Sequence, residues 1–300
     1  MRVAGEHADG RPVWEVDGRD WPHREASRFV HAAGLRWHVQ QCGAGPAILL
    51  VHGTGASTHS WAGLMPLLAR HFTVVAVDLP GHGFTCRPPL ARMALPAMGE
   101  ALAGLLAALT VRPEVVVGHS AGAAILARMC LDRHLAPRLL FSLNGALVPF
   151  RGAAGHLFSP LARLVARSEL LPRLFAWHAG FDRRVIERLV RDTGSSIGVQ
   201  ELEFYRRLAR RPGHVGAALA MMAQWDLPGL ARDLPRLRTP LVLVVGSQDR
   251  TIPPADAERV RSLLPRAEIV VLPGLGHLAH EERPDLVAAL IEERMAVDRP

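Results

Sequence analysis

Val115-Val116-Val117-Gly118-His119-Ser120-Ala121-Gly122 is the stretch on which the reading of this chain turns. Three β-branched residues in succession predict a buried strand, and Ala121 to Asp132, rich in Ala, Leu, Ile and Met, predicts a helix. Ser120 therefore falls on the turn between them, in the Gly-x-Ser-x-Gly pattern of a nucleophile elbow. Such a turn strains the serine backbone and leaves so little room that the positions two residues either side must lack a Cβ, which Gly118 and Gly122 do. The hydroxyl then stands beside the free N–H groups of a helix N-terminus, where negative charge is favoured. By itself the pattern also fits a plain glycine-flanked turn.

Two later segments supply what an activated serine needs. Pro240-Leu-Val-Leu-Val-Val-Gly246-Ser-Gln-Asp249 reads as a buried strand and a turn ending in a carboxylate. Ala267-Glu-Ile-Val-Val-Leu-Pro-Gly-Leu-Gly276-His277 reads as a strand and a turn ending in an imidazole. The order Ser120, Asp249, His277 is the one this elbow is used with, and each residue lies just past a strand's C-terminal end. In an open α/β sheet that edge is where sites assemble.

A fourth strand, Ala47-Ile-Leu-Leu-Val, opens into His52-Gly53-Thr54-Gly55. A dinucleotide fingerprint competes here, because Gly53-x-Gly55 follows a strand and Asp78 closes the next one. Thr58 stands where the third glycine belongs, which weakens that alternative. In the hydrolytic reading the same loop turns the Thr54 N–H towards Ser120, and with the Ala121 N–H it forms an oxyanion hole.

Together these motifs, with Asp78-Leu-Pro-Gly81-His-Gly83, resemble the α/β-hydrolase superfamily over nearly the whole chain. Within it, Asp20-Trp-Pro-His-Arg24, Gly53 to Trp61, Ser120 to Cys130, Ser142-Leu-Asn-Gly-Ala146 and Met221-Met-Ala-Gln-Trp-Asp226 are similar to the magnesium-chelatase accessory proteins of bacteriochlorophyll biosynthesis. The resemblance implies a role near magnesium insertion into a porphyrin, a tetrapyrrole-like substrate and magnesium-chelatase subunits as partners.

Composition fits an enzyme with a large core: 300 residues, 49% of them apolar. No apolar run approaches the ~18 residues of a membrane span, and the first ten residues lack a signal core, so a cytoplasmic location is expected. Cys42, Cys86 and Cys130 are too few and too scattered for a disulfide framework. The net charge of +7 comes from a chain whose 35 basic residues are all Arg, without a basic stripe, and no nucleic-acid partner is expected.

The pattern along the chain predicts an extended N-terminal segment over 1–24 and a hairpin of 27–32 with 35–41. Strands follow near 47–51, 73–77, 115–118, 138–144, 241–246 and 268–272, alternating with helices. This is an α/β fold with a mostly parallel eight-stranded sheet, its core formed by 25–149 and 233–298. Residues 150–232 are too many for one crossover and carry helical patterns, Leu157 to Trp177 and Glu201 to Arg211, broken by Pro160, Pro172, Pro212 and Pro228. A helical cap is expected there. Between 147 and 233 lie eight aromatic residues and 13 Arg against eight Asp or Glu, which favours an apolar ligand, either small or large and planar like a tetrapyrrole, carrying carboxylates or phosphates. The bland alternative is that the aromatics pack the cap onto the body and the arginines are solvated. Leu157 to Trp177 also reads as a basic amphipathic surface for peripheral membrane contact.

Trp61, Asn144, Phe150 and Trp225 are the candidate substrate contacts. His277-Leu-Ala-His280-Glu281 differs in order from a zinc helix, so no metal is expected, and no cofactor. His52 reads as a loop-geometry residue and His119 as the variable position of the elbow, so neither is the candidate base. The expected activity is acyl transfer to water through Ser120, His277 and Asp249. Its rival is a tetrapyrrole-binding or chelatase accessory module that keeps a hydrolase scaffold without using the triad.

Overall fold

A computed structural model of the chain describes residues 10–150, 168, 170–182 and 184–297. Its centre is an eight-stranded sheet of β1 (Ser27–Ala32), β2 (Leu35–Cys42), β3 (Ala47–Val51), β4 (Thr73–Val77), β5 (Val115–His119), β6 (Leu139–Leu143), β7 (Leu241–Gly246) and β8 (Glu268–Leu272). The spatial order is β1-β2-β4-β3-β5-β6-β7-β8. β1 pairs antiparallel with β2 and β2 with β4; every other neighbour is parallel. The hairpin turn Ala33-Gly34 has positive φ at both residues, +50° and +75°, the geometry whose twist matches two tightly joined strands.

The central strands read as unbroken apolar runs because both faces of the sheet are covered. On β3, Leu49 and Val51 enter one core cluster while Ile48 and Leu50 enter the other. β7 alternates in the same way, Leu241, Leu243 and Val245 against Val242 and Val244. The first face is closed by α3 (Leu95–Leu109) and α4 (Ala121–Leu131), the second by α2 (Met65–Leu68) and α12 (Pro284–Val297). Each fully buried Val or Leu contributes about 1.5–3 kcal/mol, so a charge placed on any of these alternating positions would disrupt one of the two cores.

Between β6 and β7 the described chain forms α5 (Leu170–Phe181), α6 (Arg184–Asp192), α7 (Val199–Ala209), α8 (Pro212–Ala223) and α9 (Leu227–Asp233). Pro172 and the prolines of α8 and α9 sit in first turns, where the missing N–H costs nothing; they start helices instead of breaking them. Asp226 caps α9 by accepting the Gly229 N–H at 2.9 Å. The expected helix from Leu157 lies outside the described residues up to 167, and so does Pro160; α5 continues past Trp177 to Phe181.

The N-terminal segment differs from the extended form expected of it. Residues Trp14–Asp17 make a short helix, α1, and Trp21 is 2% exposed in a ring cluster with Phe84 and Phe204. The Trp21 indole N–H donates to Thr58 Oγ1 at 3.0 Å, and Asp17 and Asp20 bind Arg211 and Arg207 of the insertion. Two tryptophans among polar residues thus strap the insertion to the body. That role depends on partners more than 180 residues away, which local patterning does not reveal.

Candidate active site

Ser120 links β5 to α4 with φ +49° and ψ −111°, a conformation reserved for residues that the surroundings hold in place. Its N–H donates to the Leu143 carbonyl and its own carbonyl accepts the Ala146 N–H, both at 3.0 Å. A Cβ on Gly118 would run into the Ala123 backbone, and one on Gly122 into the Val51 carbonyl. The glycines are therefore where the sequence pattern requires them, for the expected reason.

Asp249 and His277 meet beyond the ends of β7 and β8. The His277 Nδ1–H donates to Asp249 Oδ2 at 2.8 Å, with the carboxylate fully buried and the imidazole 8% exposed. Asp249 Oδ1 accepts the N–H groups of Thr251 and Ile252 at 2.8 and 2.9 Å, which fixes the carboxylate in plane. With Nδ1 engaged by Asp249, Nε2 is the ring nitrogen left outside that pair.

Asn144, an expected ligand contact, has its side chain committed to this loop instead. Nδ2 donates to the carbonyls of Gly276 (3.0 Å) and His277 (2.7 Å), and Oδ1 accepts the Gly246 N–H at 2.7 Å. A buried amide gains most by satisfying each of its groups, and three strand-end backbone groups are within reach. His119 adds a second tie: Nε2–H donates to the His277 carbonyl at 3.0 Å, and the two rings lie 4.7 Å apart. Ser120 is thus one peptide from a residue in contact with His277. Among the hydrogen bonds of the described residues, none joins Ser120 Oγ to His277.

The loop after β3 closes on the elbow. Gly53 approaches so nearly that a Cβ there would stand 3.0 Å from the Ser120 Cβ and 2.8 Å from His119 Nδ1. His52 Nε2 accepts the Leu79 N–H (2.9 Å), so Nδ1–H donates to the Gly53 carbonyl (2.7 Å). Asp78 accepts from the Thr58 and Phe84 N–H groups and from His38, which leaves it no oxygen for a ribose. Burial raises the Asp78 pKa, but His38, His52 and the Phe84 N–H outweigh it and hold the carboxyl well below the usual range. Neither the Thr54 nor the Ala121 N–H donates to the backbone carbonyl of a described residue.

Sequence reasoning missed His214, on α8. Its Nδ1 accepts the Gly83 N–H (3.1 Å) and its Nε2–H donates to the Gly55 carbonyl (3.0 Å), one residue from Thr54. Burial, partly offset by the bond to Gly55, lowers its pKa to about 4, so the ring is neutral and both bonds persist at neutral pH. Nothing in a Pro-Gly-His helix start signals this.

A polar cluster, also unread from sequence, lies between η-turn Thr58–Trp61, α7 and the short helix α11 (Ala279–Glu282). Ser60 and Tyr205 both donate to Glu281 Oε1 at 2.5 Å, and His280 Nε2 lies 2.8 Å from Ser60 Oγ. Burial raises the Glu281 carboxyl to about 7 and lowers His59 and His280 to about 3. Trp61, another expected ligand contact, is fully buried in the second core with its ring 4.7 Å from His280. Trp225 is 9% exposed in the first core, and Phe150 packs partly buried against it. Bulk and apolarity made these three look like ligand contacts; the same properties draw them into the interior.

Comparison with known proteins agrees with the geometry. Residues 48–290 match the family model described as "Alpha/beta hydrolase family". The chain is 37% identical to the "Magnesium-chelatase 30 kDa subunit" of Rhodobacter capsulatus over 274 residues, 91% of this chain and 95% of that one. It is 28% identical to the 2-hydroxy-6-oxo-2,4-heptadienoate hydrolase of Pseudomonas putida, covering 91% of this chain and 98% of that protein. An α/β-hydrolase-fold protein from Burkholderia ambifaria superposes with a TM-score of 0.75 at 25% identity, over 90% of this chain and 98% of the other. Strand order, motif positions and sequence similarity coincide: the chain belongs to the α/β-hydrolase family and, within it, is similar to a magnesium-chelatase subunit.

Proposed function

We propose that this chain is a serine hydrolase that transfers an acyl group to water through Ser120, His277 and Asp249. The observation that carries the reading is the buried Asp249–His277 pair, joined through Nδ1, in contact with the elbow residue His119 beside Ser120. Nε2 takes the proton as Ser120 Oγ bonds to the substrate carbonyl carbon, and the carbonyl π electrons move to oxygen. The Thr54 and Ala121 N–H groups receive that oxyanion. Collapse expels the leaving group, which takes the proton from His277, and water activated by the same imidazole releases the acid. Apo hydrogen bonds at such sites are often long and tighten with substrate, so the absent Ser120–His277 bond is compatible with this order of events.

The similarity to a magnesium-chelatase subunit supports a place in or beside magnesium-porphyrin and bacteriochlorophyll biosynthesis, with an apolar or tetrapyrrole-like substrate and chelatase subunits as partners. The same similarity favours a second reading, a tetrapyrrole-binding accessory module that does not use its triad. Labelling with a fluorophosphonate separates the two. The first reading expects Ser120 to be labelled and Ser120→Ala to lose ester turnover by several powers of ten. An unlabelled protein whose Soret shift with protoporphyrin survives Ser120→Ala supports the second.

A further inference from the structure

Helix α5 has its polarity reversed. The side packed on the protein carries Pro172, Ala176, Ala179 and the partly buried Phe175, whereas Leu170, Leu174, Trp177 and Phe181 are 60–75% exposed. Their spacing of four, three and four residues places them in one stripe along a helix about 18 Å long. The Trp177 and Phe181 rings touch, with centroids 4.8 Å apart. Four large apolar side chains gathered on the solvent side of one helix are a surface built to be covered.

The charges around the stripe indicate by what. α5 contains no acidic residue, and the exposed positions Arg184, Arg188 and Arg191 follow on α6. From 170 to 191 the sequence has five Arg against two acids, Asp182 and Glu187. These two are already paired, Asp182 with Arg188 and Glu187 with Arg206. A second copy docking symmetrically through this stripe would bring the same arginines face to face. A single helix stripe is also narrow for a stable protein interface, which takes about 800 Å² from each partner.

We propose that the exposed face of α5, with the exposed arginines that follow it in sequence on α6, docks on an anionic lipid surface. Leu170, Leu174, Trp177 and Phe181 enter the headgroup boundary, and the guanidinium groups meet lipid phosphates. α8 lies between this face and the loop carrying Thr54: Pro172 of α5 stands against Gly216, and His214 reaches Gly55 on the other side. The docked molecule therefore presents its cap, and not its sheet, to the lipid. This surface does not depend on the chemistry proposed for Ser120.

The test is sedimentation with vesicles of equimolar phosphatidylglycerol and phosphatidylcholine, beside vesicles of phosphatidylcholine alone. The wild-type protein is expected to bind the anionic vesicles at low ionic strength and to weaken as salt rises. Brominated acyl chains should quench Trp177, which is 64% exposed. The pair Trp177→Ser and Phe181→Ser changes only exposed positions, should leave the melting temperature in place, and should weaken vesicle binding by about tenfold or more. Ser120→Ala should bind vesicles like the wild type, so failure of the hydrolase reading would not be mistaken for failure of this one. Absence of binding at low salt, equal binding to both vesicle types, or undiminished binding by the double variant overturns the proposal. So does a wild-type dimer that ignores vesicles and is dissolved by the same two substitutions.

Discussion

The sheet body and the helical insertion treat their side chains in opposite ways. In the body, residues at the strand ends bind one another: Asp249 holds His277, Asn144 holds the His277 loop, and Asp78 holds one donor from β2 and two from neighbouring turns. In the insertion, α5 packs Pro172, Phe175 and two alanines inward and offers Leu170, Leu174, Trp177 and Phe181 to its surroundings. The body's polar groups are closed on themselves, and the insertion's apolar groups are open. The lesson is a division by region: topology gathers polar groups at the strand ends, and the insertion carries the exposed apolar surface.

That contrast can be broken by measurement, and the largest effect belongs to the body. Asp249→Asn keeps the shape but removes the acceptor that fixes the His277 tautomer, so kcat on a test ester should fall about 10⁴-fold. Activity within tenfold of the wild type would mean the strand-end chemistry is not what the body is for.

At the seam between the regions, Glu281 binds Ser60 of the body and Tyr205 of the insertion. Burial sets its folded pKa at about 7 against an ordinary 4.5. Its contribution is therefore complete below about pH 4.5 and is lost as pH rises through 7. Glu281→Gln lacks that loss, so the variant should gain relative stability by on the order of 3 kcal/mol between pH 4.5 and 8. Urea midpoints at the two pH values measure it. The buried histidines with lowered pKa act oppositely, costing stability as pH falls below about 6.5, but wild type and variant share that cost.

His214→Ala leaves the Gly55 carbonyl and the Gly83 N–H without their partner while touching no substrate. A kcat drop of about tenfold with KM moved less is expected, because a loosened Thr54 is felt mainly in the transition state. A change confined to KM would make His214 part of the cap's selectivity instead. Smallest of all, Trp61→Phe should leave KM unchanged and lower stability by about 1 kcal/mol, the cost of a modest core gap. A several-fold rise in KM would return Trp61 to the substrate side.

How far the sequence could be read follows from the range of the forces involved. β3, β5 and β7 were legible because two-sided burial writes itself into consecutive residues, and Ser120, Asp249 and His277 because each follows such a run. Asn144 was placed correctly at a strand end but its partners were not, since Gly276 and His277 lie 132 and 133 residues on. His214, Glu281 and the Trp21 strap were invisible for the same reason: each gains meaning only from groups that chain folding brings from far away. The reversed stripe of α5 was half legible, as a basic amphipathic pattern whose exposed side only packing could assign.

The bond from His214 to Gly55 has a consequence for how the molecule opens. Swinging α8 outward far enough to admit a bulky guest must first unlatch that carbonyl, and with it the brace behind Thr54. Movement of the insertion and the setting of the loop that carries Thr54 are therefore coupled through one imidazole.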